Sequence, residues 1–224
     1  MKKILLITTI LFISLLSLVC YRDDLYNDSS SKTLTAFSMY QPPIPTIYIF
    51  TDPATTYQGS LGGRDGADAT CLTLYENTFS FLDIPSGVKA FLSVMPGDNI
   101  KDLMPSYPFY LATAPVYGVK SDQTITPIAN AWNDLWNTAS VPLLSNLSTA
   151  TDATTSWWSG SDPNGLFDTT FTSTNNCSNW TDGAVGNGQT GSRTQVDSRW
   201  IRSTTNPRLC SSFRQLMCMA VIYK

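Results

Sequence analysis

The chain reads as an α+β fold. Apolar residues recur at helical spacing around Cys71 and again around Trp132, both in the first half of the predicted domain. The closing stretch "FRQLMCMAVIY" (Phe213 to Tyr223) is nearly continuous in apolar residues, as for a central strand covered on both faces. Helices in the first half with strands dominating the second make α+β the expected class.

Taken in order, "IPTIYIF" (Ile44 to Phe50) is rich in β-branched and aromatic residues and predicts a first strand. "TTYQGSLGG" is a loop by its glycines. In "RDGADATCLTLYENT", Ala67, Cys71 and Leu74 fall at i, i+4 and i+7, with Asp65 and Asp68 near the start, where a helix dipole favours acids. This predicts a short helix with Cys71 on its buried face. "VKAFLSVM" (Val88 to Met95) predicts a second strand, followed by a short helical piece at "DNIKDLM". Residues 105 to 126 carry prolines and aromatics and read as irregular structure with short strands. "TPIANAWNDLWN" places Ile128, Trp132, Leu135 and Trp136 on one helical face, with Thr126 as N-cap and Pro127 at the first position. Its tryptophan is expected to face the core and Asn133 and Asp134 to face out. Beyond Trp157, "SWWSGS", "CSNWTDG", "GAVGNGQTG" and "DSRWIR" read as strands and loops.

The N-terminus predicts export. Lys2 and Lys3 precede an apolar run from Ile4 to Val19, 16 residues long, that stops at Cys20. That is short for a membrane span of roughly 20 residues. Residues 1–19 read as a lipoprotein signal peptide and Cys20 as the lipidated first residue, with an uncleaved anchor as the alternative. Residues 20–44 mix charge, serine and proline without periodicity and read as a flexible tether. Residues 45–224 form one domain's worth of chain, with no internal repeat.

Four cysteines remain after Cys20: Cys71, Cys177, Cys210 and Cys218. In an exported chain an even count predicts two disulfides, with three connectivities open. From residue 183 onward, Arg193, Arg199, Arg202, Arg208, Arg214 and Lys224 face one acid, Asp197, a net of +5 that leaves −8 on residues 1–182 within the total of −3. A basic C-terminal stretch on an acidic body attracts a polyanion or an acidic protein surface. The alternative is a mixed, solvated surface.

The chemical inventory argues against catalysis. The chain has no histidine, which removes the commonest general base and zinc ligand. Glu76 is its only glutamate, and no two aspartates stand at a recognisable catalytic spacing. No cofactor and no metal are expected. "DPN" (Asp162 to Asn164) and "WND" (Trp132 to Asp134) are triplets that sugar-binding calcium sites use. Here WND precedes DPN, and no acid lies just before Cys210, so the six to eight oxygens that calcium needs are not supplied. Asp162-Pro163-Asn164-Gly165 is instead the composition of a tight turn. Trp157 and Trp158 alternate faces on a strand, so at least one is expected in the core, and Trp158 is the candidate recognition anchor. "GAVGNGQTG" lacks the strand-turn-helix setting of a phosphate loop and reads as a plain loop.

Several stretches, in their order, resemble the endostatin domain of certain collagens, which has a C-type-lectin-like fold, and the leptospiral endostatin-like surface lipoproteins. They are "LGGRDGADATC" (61–71), "VKAFLSV" (88–94), "TPIANAWNDLW" (126–136), "WWSGSDPNG" (157–165), "CSNW" (177–180) and "CSSFRQLMCMAVI" (210–222), which span nearly all of the predicted domain. The resemblance implies a C-type-lectin-like fold with a mixed central sheet, two main helices and two nested disulfides, Cys71–Cys218 and Cys177–Cys210. Such bridges contribute about 5 and 4 kcal/mol by loop closure, as upper values. The zinc site of the endostatin domain uses histidines and does not transfer. Its heparin binding uses clustered arginines, whose counterparts here are Arg193, Arg199, Arg202, Arg208 and Arg214.

The expected function is therefore adhesion without chemistry, by an outer-membrane, cell-surface lipoprotein held to the membrane through its lipid anchor. By resemblance its partners are host extracellular-matrix or plasma proteins such as laminin, fibronectin, plasminogen or the complement regulator factor H, and heparin-like glycans; no nucleic-acid partner is expected. A carbohydrate-binding module and a structural envelope protein without a host ligand are the alternatives. Reversing the charge of Arg199, Arg202 and Arg208 together is expected to weaken binding.

Overall fold

The computed structural model describes residues 45–103, 112–137, 142–170, 176–203 and 207–223. The expected signal peptide, the lipidation at Cys20 and the tether of residues 20–44 lie outside them. Among the described residues no helix is long and apolar enough to cross a membrane.

The predicted first and last strands form and lie side by side. β1 (Thr46–Thr51) pairs antiparallel with β9 (Met217–Ile222) along its whole length, from Thr46 opposite Ile222 to Thr51 opposite Met217. β9 also pairs antiparallel with β2 (Gly87–Ala90), while β1 pairs in parallel with β3 (Val116–Val119), which is followed by the antiparallel β4 (Ile125–Ala129). The result is a mixed five-stranded sheet in the order β2-β9-β1-β3-β4. The class is α+β, and four of the five strands lie before residue 130, ahead of the stretch beyond Trp157 where strands are expected to dominate.

Strand alternation divides the core in two. Ile47, Ile49, Met217, Met219 and Val221 point to one side, where they meet Phe91, Trp132, Trp157 and Trp200. Tyr48, Phe50, Cys218, Ala220 and Ile222 point to the other, where they meet Cys71, Tyr75, Phe79, Trp158 and Trp180. Both faces of β9 are thus covered, which explains its unbroken apolar sequence.

The first helix forms as the Ala67–Cys71–Leu74 spacing predicts. α1 (Gly63–Leu74) buries Ala67 and Cys71 and continues into a π-helical turn (Tyr75–Phe79) that buries Tyr75 and Phe79. It is fastened to β2 by charge. Asp68 accepts from Lys89 Nζ and from the Ala90 N–H, each at 2.8 Å, and Arg64 reaches Asp98 at 2.7 Å and the Ala90 carbonyl at 2.8 Å.

The second main helix does not form. Thr126 and Pro127 lie in β4, and the chain then makes a 3-10 helix over Trp132–Trp136. β4 is a sheet edge, where a proline removes no ladder bond that the sheet needs. The Ile128, Trp132 and Leu135 spacing that suggests a helix is met by burying a strand end and a 3-10 turn in the same cluster, with Asn133 and Asp134 exposed as expected. α2 (Leu147–Ala150) is a single turn capped by Asn146, whose Oδ1 accepts from the Thr149 N–H at 2.9 Å. It packs on β3 at Gly118, where a Cβ would collide with the Ala150 backbone. "DSRWIR" is likewise not a strand: Ser198–Trp200 is a 3-10 turn whose N-cap is Asp197.

Both disulfides form in the pairing implied by the resemblance. Cys71–Cys218 ties α1 to β9, and Cys177–Cys210 ties two loops, each with Cα atoms 5.5 Å apart.

Candidate functional site

Of the six predicted binding residues, Arg208 lies on β8 (Arg208–Leu209) next to the Cys177–Cys210 bridge, and Arg199 shares a cavity with it. On one side of the bridge, Asn176–Trp180 is a left-handed turn in which five consecutive residues have φ between 50° and 63°. On the other, β8 (Arg208–Leu209) pairs with β6 (Asn187–Gly188), and the Cys210 N–H donates to the Gly186 carbonyl at 3.1 Å. Gly59 packs against the bridge so closely that a Cβ would overlap Cys177 Sγ, and its N–H donates to the Cys210 carbonyl at 2.8 Å. β5 (Trp157–Trp158) pairs with β7 (Thr190–Gly191) beneath these loops.

The structure corrects the reading of Trp158 as a recognition anchor. Its side chain is 0% exposed, its Nε1 donates to the Tyr57 carbonyl at 2.8 Å, and its ring packs on Trp180 with centroids 5.3 Å apart. Trp157 is equally buried in the opposite half of the core. Alternation across β5 sends one indole into each half, so neither reaches a partner.

The five arginines separate by role. Arg199 and Arg208 line one cavity of about 280 Å³, together with Ser156, Ser192, Gln195 and Ser203. Arg199 is oriented by Asp197, with Nε donating to Oδ1 at 2.9 Å and Nη2 to Oδ2 at 2.6 Å. The same carboxylate caps the 3-10 turn through the Arg199 N–H. The Arg199 side chain and backbone N–H hold the Asp197 carboxyl below its ordinary pKa, and Asp197 in turn raises that of Arg199. Arg208, on the exposed β8, forms no ion pair among the described residues. Arg214 lies close enough to feel it: burial and then the charge of Arg208 push its guanidinium below the usual arginine value. Its Nη1 donates to the Phe213 carbonyl at 2.6 Å, while Nε is buried without a hydrogen-bond partner.

Arg202 belongs to the fold instead. Its Nε donates to Asp168 Oδ2 at 2.9 Å, and Asp168 is 1% exposed. Arg193 is placed by its backbone, whose carbonyl accepts from the Ser148 N–H at 2.9 Å, and it does not line the cavity. A triple charge reversal that includes Arg202 would therefore test stability as much as binding.

The arrangement can hold an anionic group. Two guanidiniums, three hydroxyls and one amide converge, and the nearest carboxylate is spent on Arg199. The serines and Gln195 carry no sequence signal, because they come from three separate stretches of chain. Asp197 before Ser-Arg is legible as a cap.

The calcium half-site reading has a structural alternative. Asp162 Oδ1 accepts from the Asn164 and Leu166 N–H groups at 2.8 and 2.9 Å, and Oδ2 accepts from Asn164 Nδ2 at 3.3 Å. Gly165 closes the turn at φ 75°. Among the described residues no three His, Cys, Asp or Glu side chains gather as a metal set.

Neither a protein-family model nor a curated protein matches this chain.

Proposed function

We propose that the chain is a surface-anchored binding module of endostatin-like, C-type-lectin-like architecture, which docks acidic host macromolecules through the cavity where Arg199 and Arg208 meet. It acts by adhesion, without catalysis. Matrix or plasma proteins and heparin-like glycans are the partner classes, and the lipoprotein signal expected at the N-terminus supports a position on the outer membrane.

Three observations support the architecture: the nested pairing of the bridges, adjacent first and last strands, and one long helix bridged to the last strand. The observation that carries the function is that Arg208, exposed and without an ion pair among the described residues, lines the cavity beside the Arg199 guanidinium. Like charges held together are repelled in the free molecule and relieved by an anion. The net negative charge of residues 1–182 disfavours an anionic partner elsewhere and so supports approach through the basic stretch.

The test is Arg208→Glu in the full chain, measured against immobilised heparin, laminin and fibronectin. Affinity is expected to fall at least about tenfold and the salt dependence to flatten. Unchanged affinity in a folded Arg208→Glu chain removes the basic-cavity reading.

A further inference from the structure

A second cavity, of about 460 Å³, lies on the acidic part of the chain and shares no lining residue with the arginine cavity. One wall is the outer side of α1 with Ala69, Thr70, Thr73 and Leu74, the end is the π-helical turn with Asn77 and Thr78, and the other wall is the loop bearing Asp52 and Tyr57. Two of its hydroxyls face it as acceptors. Thr70 Oγ1 donates to the Gly66 carbonyl at 2.9 Å, and Thr73 Oγ1 donates to the Ala69 carbonyl at 3.0 Å. With their protons committed to the helix, both hydroxyls offer only lone pairs to the groove.

Asp52 adds to this. Its oxygens accept from the Ala54 N–H at 2.8 Å and from Thr55 Oγ1 at 2.5 Å, which leaves acceptor capacity on both. It forms no ion pair among the described residues, and no Lys or Arg lines the groove. The groove also runs along the C-terminal half of α1, the negative end of its dipole, where neither the last turn nor the π-helical turn carries a basic residue. Tyr57 supplies an aromatic ring, and Leu74 and Ala69 supply apolar wall.

Acceptors, a negative helix end, an unpaired carboxylate and a ring face suit a cation that brings its own donors on an apolar stem. We propose that this groove binds an alkylammonium group, as carried by a lysine side chain or a polyamine. Asp52 holds the charge, Thr70 and Thr73 accept from the ammonium, and the stem lies along Leu74 and Tyr57.

The experiment titrates the full chain with Nα-acetyl-lysine methylamide, with its uncharged analogue Nα-acetyl-norleucine methylamide, and with spermidine, by calorimetry and by NMR shifts of Tyr57. At least one of the two amines is expected to saturate, with the norleucine compound at least about tenfold weaker. Tighter binding of spermidine identifies a free polyamine as the natural ligand class, and tighter binding of the lysine compound identifies a side chain. Asp52→Asn is expected to weaken binding about tenfold, and Thr73→Val, on an exposed helix position, serves if the first variant does not fold. Equal binding of the norleucine compound, saturation by neither amine, or unchanged affinity in the folded variants overturns the proposal.

Discussion

Asp168 sits almost sealed from water, and its charge is met by Arg202 from 34 residues further along the chain. A buried pair of this kind adds little compared with an apolar replacement, yet losing one partner leaves an uncompensated charge. Arg202→Met is expected to lower stability by about 3 kcal/mol in chemical denaturation. The double variant Arg202→Met/Asp168→Asn should lose less than the sum of the singles, and strict additivity would show that the two side chains do not act on each other. Nothing in the local sequence marks this pair, because charge pairing at long range has no periodicity to read. The same holds for Gln215, whose amide accepts from the Thr154 and Thr155 N–H groups and donates to the Asp52 and Asp152 carbonyls. Trp158 shows the opposite failure. Its alternation with Trp157 was legible, but alternation alone does not say that a second core half waits on the other side.

At the level of elements, the sequence was most informative where one physical signal acted alone. The spacing of Ala67, Cys71 and Leu74 predicted α1, and the unbroken apolar run predicted β9. It misled at residues 126–136, where capping residues and an i, i+4, i+7 pattern coincide in a strand followed by a 3-10 turn. It was silent at Asn176–Trp180. Left-handed backbone costs an L-residue about 1–2 kcal/mol, and apart from glycine only asparagine and aspartate visit it at all commonly. Asn176 and Asn179 were hints, but Cys177, Ser178 and Trp180 were not. Tertiary bonds hold this turn: Asn176 Nδ2 donates to the Gly160 carbonyl at 2.9 Å, Trp180 Nε1 donates to the Ser93 carbonyl at 2.9 Å, and Cys177 is bridged. Cys177→Ser/Cys210→Ser is therefore expected to cost up to about 4 kcal/mol, with faster amide exchange confined to residues 176–188 and 207–214. Cys71→Ser/Cys218→Ser is expected to cost up to about 5 kcal/mol and to raise exchange throughout the sheet. Identical exchange patterns for the two variants would contradict this division.

For the whole molecule, one strand decides whether the sheet exists. β9 lies between β1 and β2, which do not pair with each other, and it contributes to both core halves. A chain cut before Met217 is expected to show no cooperative unfolding transition by circular dichroism, and a sharp transition in that fragment would refute the central role of β9. The charge division belongs to this scale too. It was legible as a count along the chain, but the sorting of the arginines into cavity lining, near neighbour and structural partner needed the fold. The place of β9 also bears on the order of synthesis. In a chain growing from its N-terminus, every other described strand is made before β9, so β1 and β2 wait with unpaired edges and Cys71 waits without its partner. Sheet closure and the outer bridge thus wait for β9, and until it emerges the edges of β1 and β2 are the ones a chaperone that shields strand edges would cover.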